Sequence, residues 1–238
     1  MLWRPGKMPI NSVIKAVFLL LVLIVPIQAK EWVVSAVPTQ NKVIALTLDD
    51  GPNEKYTEKF LEILQREHIK GTFFLMGQHV ERYPELALKI KKAGHEIGNH
   101  SHTHHRYDKM SKDEIKADLA KSQRAFYDVF HEFPLYFRPP YGALCPSDYD
   151  IFERYFFKVV AWNLDCFDWK KNFSANQIAQ RVIDRAQPGS IVLMHDSNDK
   201  TLAALPKMIA GLRAKGYHFV TVSQLLDGEL KDAQKKVR

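Results

Sequence analysis

An α/β fold of parallel strands, either a barrel or a doubly wound sheet, is predicted by three features of this 238-residue chain. Short apolar runs rich in β-branched residues alternate with amphipathic segments. Seven such strand-like runs recur along the sequence, with four amphipathic helical segments among them. The residues with the most chemical potential fall where predicted strands end, which favours a barrel with its site on the C-terminal rim of the strands. Periodicity alone does not choose between the two architectures.

The first predicted strand is Val43–Leu48, a short run ended by Gly51-Pro52. Tyr56–Glu67 then places Phe60, Ile63 and Leu64 on one helical face. Strands follow at Thr72–Leu75 and Glu96–Gly98. Lys112–Phe130 repeats Ile115, Leu119, Ser122 and Phe126 at helical spacing. Tyr136–Arg138 and Lys158–Asn163 are the next strands, and Ala175–Arg185 the next helix. Ser190–Met194, a helix at Leu202–Lys215 and a strand at His218–Val222 complete the pattern. The length fits one domain with a sizeable core, and 46% hydrophobic and 26% charged residues are ordinary globular values.

The N-terminus differs. Arg4, Lys7 and Lys15 precede or interrupt an apolar stretch from Ala16 to Ile27, shorter than the ~20 residues of a spanning helix. It fits the core of an export signal cleaved near Ala29, with an uncleaved membrane tether as the alternative. The expected organisation is 1–29 signal peptide or signal anchor, 30–41 linker, 42–228 main globular domain and 229–238 basic tail. The net charge is +7, and the first 29 residues carry three basic and no acidic side chains, leaving +4 for the rest. That balance suits an anionic cell wall. No dense basic stripe interleaved with aromatics suggests nucleic acid. Cys145 and Cys166 either pair, which an exported location permits, or remain two free thiols.

Asp49 and Asp50 end the first strand. Side chains alternate along a strand, so adjacent aspartates serve one site only where that regularity relaxes, and Gly51 permits a sharp turn there. A simple turn is the competing explanation. Asn99-His100-Ser101-His102-Thr103-His104-His105 holds four histidines in six positions. His100 and His104, four apart, suit one ion, and His102 with His105 offers a competing pair. Imidazole plus carboxylate favours one Zn²⁺, with Co, Ni, Mn or Fe as alternatives. Three protein ligands leave a position open, the catalytic rather than the structural pattern.

Five motifs in this order resemble the polysaccharide deacetylase family, also called the NodB-homology domain or carbohydrate esterase family four. They are Thr47-Leu48-Asp49-Asp50-Gly51-Pro52, His100-Ser101-His102-Thr103-His104, Arg138-Pro139-Pro140-Tyr141-Gly142, Asp165-Cys166-Phe167-Asp168-Trp169 and Ile191-Val192-Leu193-Met194-His195. The resemblance covers Lys42 to Leu226 and implies a distorted (β/α)7, TIM-barrel-like fold. It implies that Asp50, His100 and His104 hold the metal and that Asp49 is the general base. It implies that Arg138 holds Asp49, the Tyr141 N–H stabilises the oxyanion, and His195 is the general acid oriented by Asp168. Trp169 and Leu193 would receive the acetyl methyl group.

The resulting expectation is an exported, metal-dependent N-deacetylase, otherwise monomeric, acting on an N-acetylated glycan polymer. GlcNAc or MurNAc residues of peptidoglycan come first and chitin oligosaccharides second. Loops around Tyr83, Tyr107 and Phe167 are expected to shape substrate choice. An acetylxylan O-deacetylase is a rival within the hydrolases. A glycosidase needs paired carboxyls about 5–9.5 Å apart and gives the histidines no purpose. A non-enzymatic glycan-binding module should lack a base, acid or ligand, and none is missing.

Overall fold

The computed structural model of the protein describes residues 33–155 and 157–228. The expected signal segment and basic tail lie outside the described residues. Among those described, no helix is long and apolar enough to cross a membrane.

β1 (Val33–Val34) falls inside the expected linker and pairs with β6 (Lys158–Val160). β2 (Val43–Asp49) follows, then α1 (Thr57–Arg66), β3 (Thr72–Leu75), α2 (Gly77–Arg82), α3 (Pro84–Lys92) and β4 (Glu96–Asn99). α4 (Lys112–Phe130), β5 (Tyr136–Phe137) and α5 (Tyr149–Arg154) lead to β6. β7 (Leu164–Asp165), α6 (Ala175–Arg185), β8 (Ser190–His195), α7 (Asp199–Ala214) and β9 (His218–Val220) complete the chain. The strands pair in parallel in the order β1-β6-β5-β4-β3-β2-β8-β7, with β9 added to the start of β2. They form the curled α/β barrel expected, distorted because β1 and β7 remain the ends of the path.

The predicted strand at Lys158–Asn163 is in fact two pieces. β6 stops at Val160, the chain changes partner, and β7 resumes against β8. The Asn163 side chain bridges this break, accepting the Ile191 N–H at 3.0 Å and donating to Ser190 Oγ at 3.2 Å. The short helices α2, α3 and α5 were not predicted, because six to nine residues carry too little periodicity to read.

Alternation along β2 separates two cores. Ile44, Leu46 and Leu48 pack outward against the helices, with Phe60, Leu64, Val192, Met194 and Leu205 among their neighbours. Ala45 packs inward with Phe74, Val160 and Ile191. Thr47 and Asp49 share the parity of Ala45, so they lie on the barrel's inner side. The helices are well started: Ser111 with Glu114 and Ser174 with Gln177 form capping boxes for α4 and α6, and Asn198 caps α7.

Candidate active site and metal centre

Strand parity delivers Asp49 to the barrel interior, and the backbone then breaks that parity to deliver Asp50. Asp50 lies one residue beyond β2 with φ 79, the left-handed region. The turn is thus made at Asp50, not at Gly51 as the sequence suggested. Gly51 is needed for a different reason: a Cβ there would lie 2.4 Å from Asp196 Oδ2. His79 Nδ1 donates to the Asp50 carbonyl at 2.7 Å and holds the turned peptide.

Asp50 Oδ1 is buried and has no hydrogen-bond partner. It lies 3.6 Å from His100 Nε2 and 3.3 Å from His104 Nε2. His100 Nδ1 donates to the Arg138 carbonyl at 2.8 Å, which leaves the Nε2 lone pair facing Asp50. Burial, then the neighbouring His100, lowers the pKa of His104 and favours its neutral form against the pull of Asp50 and Asp49. An orphaned carboxylate oxygen facing two imidazole nitrogens fits a divalent cation in both charge and donor type. Among the described residues this is the one such cluster within 4.8 Å. The competing histidines go elsewhere: His105 Nδ1 meets Thr103 Oγ1 at 2.6 Å, and His102 Nδ1 is buried against Gly77 and Ser122.

Arg138 is fully buried. Its Nη1 donates to Asp49 Oδ1 and to Thr47 Oγ1, both at 2.7 Å. Nε and Nη2 donate to the carbonyls of Val160 and Ala161 at 3.2 and 3.0 Å. The guanidinium carbon lies 4.1 Å from the Phe74 ring centre. Every polar edge of the fork is used, so the group is fixed in place. Burial lowers its pKa, partly offset by the Asp49 charge. The other Asp49 oxygen, Oδ2, lies 3.8 Å from His100 Nε2, facing the ligand cluster.

Across the cavity, His195 Nδ1 donates to Asp168 Oδ1 at 2.7 Å. Asp168 Oδ2 accepts the His195 backbone N–H at 2.8 Å and the Thr201 hydroxyl at 2.6 Å. Burial alone would lower the pKa of His195. The bond and charge of Asp168, with smaller help from Asp50 and Asp49, outweigh burial and raise it to about 9. Burial would conversely raise Asp168, but its bonds to His195 and Thr201 hold it below the usual carboxylate range.

Asp49, His100, His104, His195, Leu193 and Trp169 line one cavity of about 490 Å³. Arg106, Trp162 and Asp165 join them there and were not predicted. Asp165 organises the turn carrying Asp168: Oδ1 accepts the Phe167 N–H at 2.7 Å and Oδ2 the Trp169 indole N–H at 3.1 Å. Tyr141 and Trp169 are exposed at 60% and 58%, an aromatic rim available to a sugar ring. Tyr107 corrects an expectation, since it is fully buried and does not shape the mouth. Tyr83 starts α3, and Phe167 lies between Lys170 and Arg181. Cys145 and Cys166 do not pair. Both are free, and Cys166 is sealed into the outer core with its thiol pKa pushed far up by burial.

Asp196 follows β8 and was not singled out in the sequence. It is fully buried, its Oδ1 lacks a partner, and Oδ2 accepts the Thr57 hydroxyl at 2.9 Å. Burial, with added repulsion from Asp50 and Asp49, raises its pKa to about 7.

Of the seven non-glycine residues with positive φ among the described residues, Asp50, Ser101, His104, Tyr141 and Phe167 lie in the motif loops of this rim. Backbone strain concentrated in this way accompanies functional sites.

The family model for polysaccharide deacetylases matches residues 36–155. A peptidoglycan-N-acetylglucosamine deacetylase of Bacillus cereus is 37% identical over 200 residues, covering 82% of this chain and 93% of the relative. Another of that name, PgdA of Listeria monocytogenes, is 37% identical over 191 residues, covering 80% of this chain. The match spans 40% of the Listeria protein's length. The solved structure of peptidoglycan deacetylase PdaC from Bacillus subtilis superposes with a TM-score of 0.78 at 33% identity, covering 85% of this chain and 98% of that one.

Proposed function

The chain belongs to the polysaccharide deacetylase family, and from that premise we propose that it removes N-acetyl groups from a cell-wall glycan, with N-acetylglucosamine residues of peptidoglycan as the leading substrate. The observation that carries the reading is the pairing, across one cavity, of a carboxylate held by a buried arginine with a histidine hydrogen-bonded to a buried aspartate.

Asp50, His100 and His104 would hold one divalent ion, with Zn²⁺ favoured by the donor set. Such an ion supplies Lewis acidity, making water a nucleophile near neutral pH and polarising the acetamide carbonyl. Asp49 accepts the water's proton. Its Oδ1 is anchored by Arg138, so Oδ2 is the oxygen left to act. The Tyr141 N–H is assigned to the developing oxyanion. His195 gives its Nε2 proton to the departing amine, and the bond from Nδ1 to Asp168 fixes the tautomer. Trp169 and Leu193 are assigned to the acetyl methyl group, with Trp162 closing the wall beside them.

The wall polymer places the reaction outside the cytoplasm, and the apolar segment Ala16–Ile27 is assigned to export or tethering. Residues 42–228 are assigned as the catalytic domain.

Acetate release by the full-length chain, metal-stripped and then reloaded with Zn²⁺ or Co²⁺, tests the reading. Peptidoglycan, chitin oligomers and acetylated xylan are the substrates. Ion-restored release from peptidoglycan is expected. Preference for xylan esters would replace the reading with O-deacetylation, and new reducing ends without free amines would replace it with glycosidic cleavage.

A further inference from the structure

The loop carrying His100 and His104 is held in an unrelaxed shape. Ser101 (φ 68) and His104 (φ 61) both occupy the left-handed region without being glycine. Neutral groups satisfy part of its backbone. The Gly77 N–H donates to the Ser101 carbonyl at 2.9 Å, the Ser122 hydroxyl to the same oxygen at 3.2 Å, and the Ser101 N–H to Asn99 Oδ1 at 2.8 Å.

The middle of the loop is held by one carboxylate. Asp118 lies on α4, is 6% exposed, and supplies no ligand. Its Oδ2 accepts the His102 N–H at 2.8 Å and the Tyr107 hydroxyl at 2.6 Å. Its Oδ1 accepts the Thr103 N–H at 3.2 Å and the Thr103 hydroxyl at 2.6 Å. Four donors converge on the two oxygens. No lysine or arginine among the described residues pairs with it, so its charge is held by hydrogen bonds alone.

We propose that Asp118 is a positioning residue for the metal ion. By clamping the chain midway between His100 and His104, it fixes the separation and aim of their Nε2 atoms before the ion arrives. Preorganisation of this kind raises affinity, because the ion need not order the loop itself. The buried anion also favours a cation nearby. Tyr107, fully buried and bonded to Asp118, keeps the carboxylate turned toward the loop. The proposal rests on the assignment of an ion to Asp50, His100 and His104. A purely structural Asp118 would instead anchor α4, lower stability on substitution, and leave the folded protein's ion affinity untouched.

The test uses the full-length chain, metal-stripped, with Zn²⁺ affinity read by chelator competition and Co²⁺ geometry by visible absorption. Asp118→Asn keeps the shape but presents an NH₂ group to donors that had faced an oxygen. It should weaken ion binding about 10–100-fold and alter the Co²⁺ bands, with turnover recovering as Zn²⁺ is raised. Tyr107→Phe and Thr103→Ala each remove one hydroxyl and should weaken binding about 2–10-fold, a fraction of the Asp118 effect. They carry the test if Asp118→Asn does not fold. Folded variants with wild-type ion affinity would overturn the proposal while leaving the ion assignment intact. A wild-type chain that takes up no ion would instead sink the assignment itself, and the clamp with it.

Discussion

Replacing Arg138 by methionine isolates what a single buried cation does for this barrel. Methionine fills most of the volume and donates nothing. Asp49, 2% exposed, would lose its partner at 2.7 Å, and the carbonyls of Val160 and Ala161 would each lose a donor. Attraction across that ion pair is roughly 6 kcal/mol at an effective dielectric of about 20, and the burial of both charges cancels much of it. Removing one partner strands the other, which costs about 3–5 kcal/mol. The orphaned acceptors add about 1 kcal/mol or more. The expected loss is therefore about 4–6 kcal/mol, a large share of the roughly 5–15 kcal/mol that keeps a domain folded. Urea unfolding of the ion-free protein, followed by tryptophan fluorescence, reads it directly. Most of the loss comes from a stranded charge, so adding Asp49→Asn to Arg138→Met should return about 2–3 kcal/mol. A loss below about 1.5 kcal/mol, or a double variant no more stable than the single one, refutes the reasoning.

Other outcomes follow from the same geometry. Asp168→Asn leaves burial opposed only by the smaller pull of Asp50 and Asp49, so the pKa of His195 should fall from about 9 and the alkaline limb of the pH–rate profile should move to lower pH; an unmoved limb excludes His195 as the acid. The bound ion offsets the help from Asp49 and Asp50, so the wild-type limb should itself lie below about 9. Because the folded value is raised, the His195–Asp168 pair's stabilisation is complete below the unfolded imidazole value of about 6.5 and is lost as pH rises through about 9. Asp49→Asn should retain the ion and lose most activity, whereas His100→Ala should lose both; ion content by elemental analysis separates them. Gly189→Ala should destabilise by more than about 2 kcal/mol in the urea assay, since φ is +78 and a Cβ would lie 1.8 Å from the Val37 carbonyl oxygen, which is backbone.

The strands that carry chemistry were legible because their ends carry motifs. Val43–Asp49 and Ser190–His195 differ from the sequence reading only by the terminal aspartate and histidine. Periodicity failed where elements were short, as at Gly77–Arg82, or where one apolar run changed partners, as at Val160 to Leu164. The ligand register stayed open in the sequence because four histidines share one loop. It is decided by φ angles at Ser101 and His104, which no composition rule predicts for serine and histidine. Trp162 was hidden because it falls inside the apolar run 158–163 and reads as more strand, although β6 ends at Val160; Asp165 stood in the fourth motif, but nothing in the sequence gave it a role. Asp118 was hidden because a lone aspartate on an amphipathic helix reads as a solvated face, and only the fold brings the loop to it.

The two unpaired thiols make the wild-type chain a ready optical sensor. Cys166 is buried with a strongly raised pKa, so it resists alkylation, while Cys145 is half-buried at the turn four residues beyond Tyr141. A thiol-reactive dye should therefore mark Cys145 alone in the folded protein, with no engineered cysteine to introduce. Its emission would report glycan arrival at the aromatic rim in real time, independently of whether acetate is released.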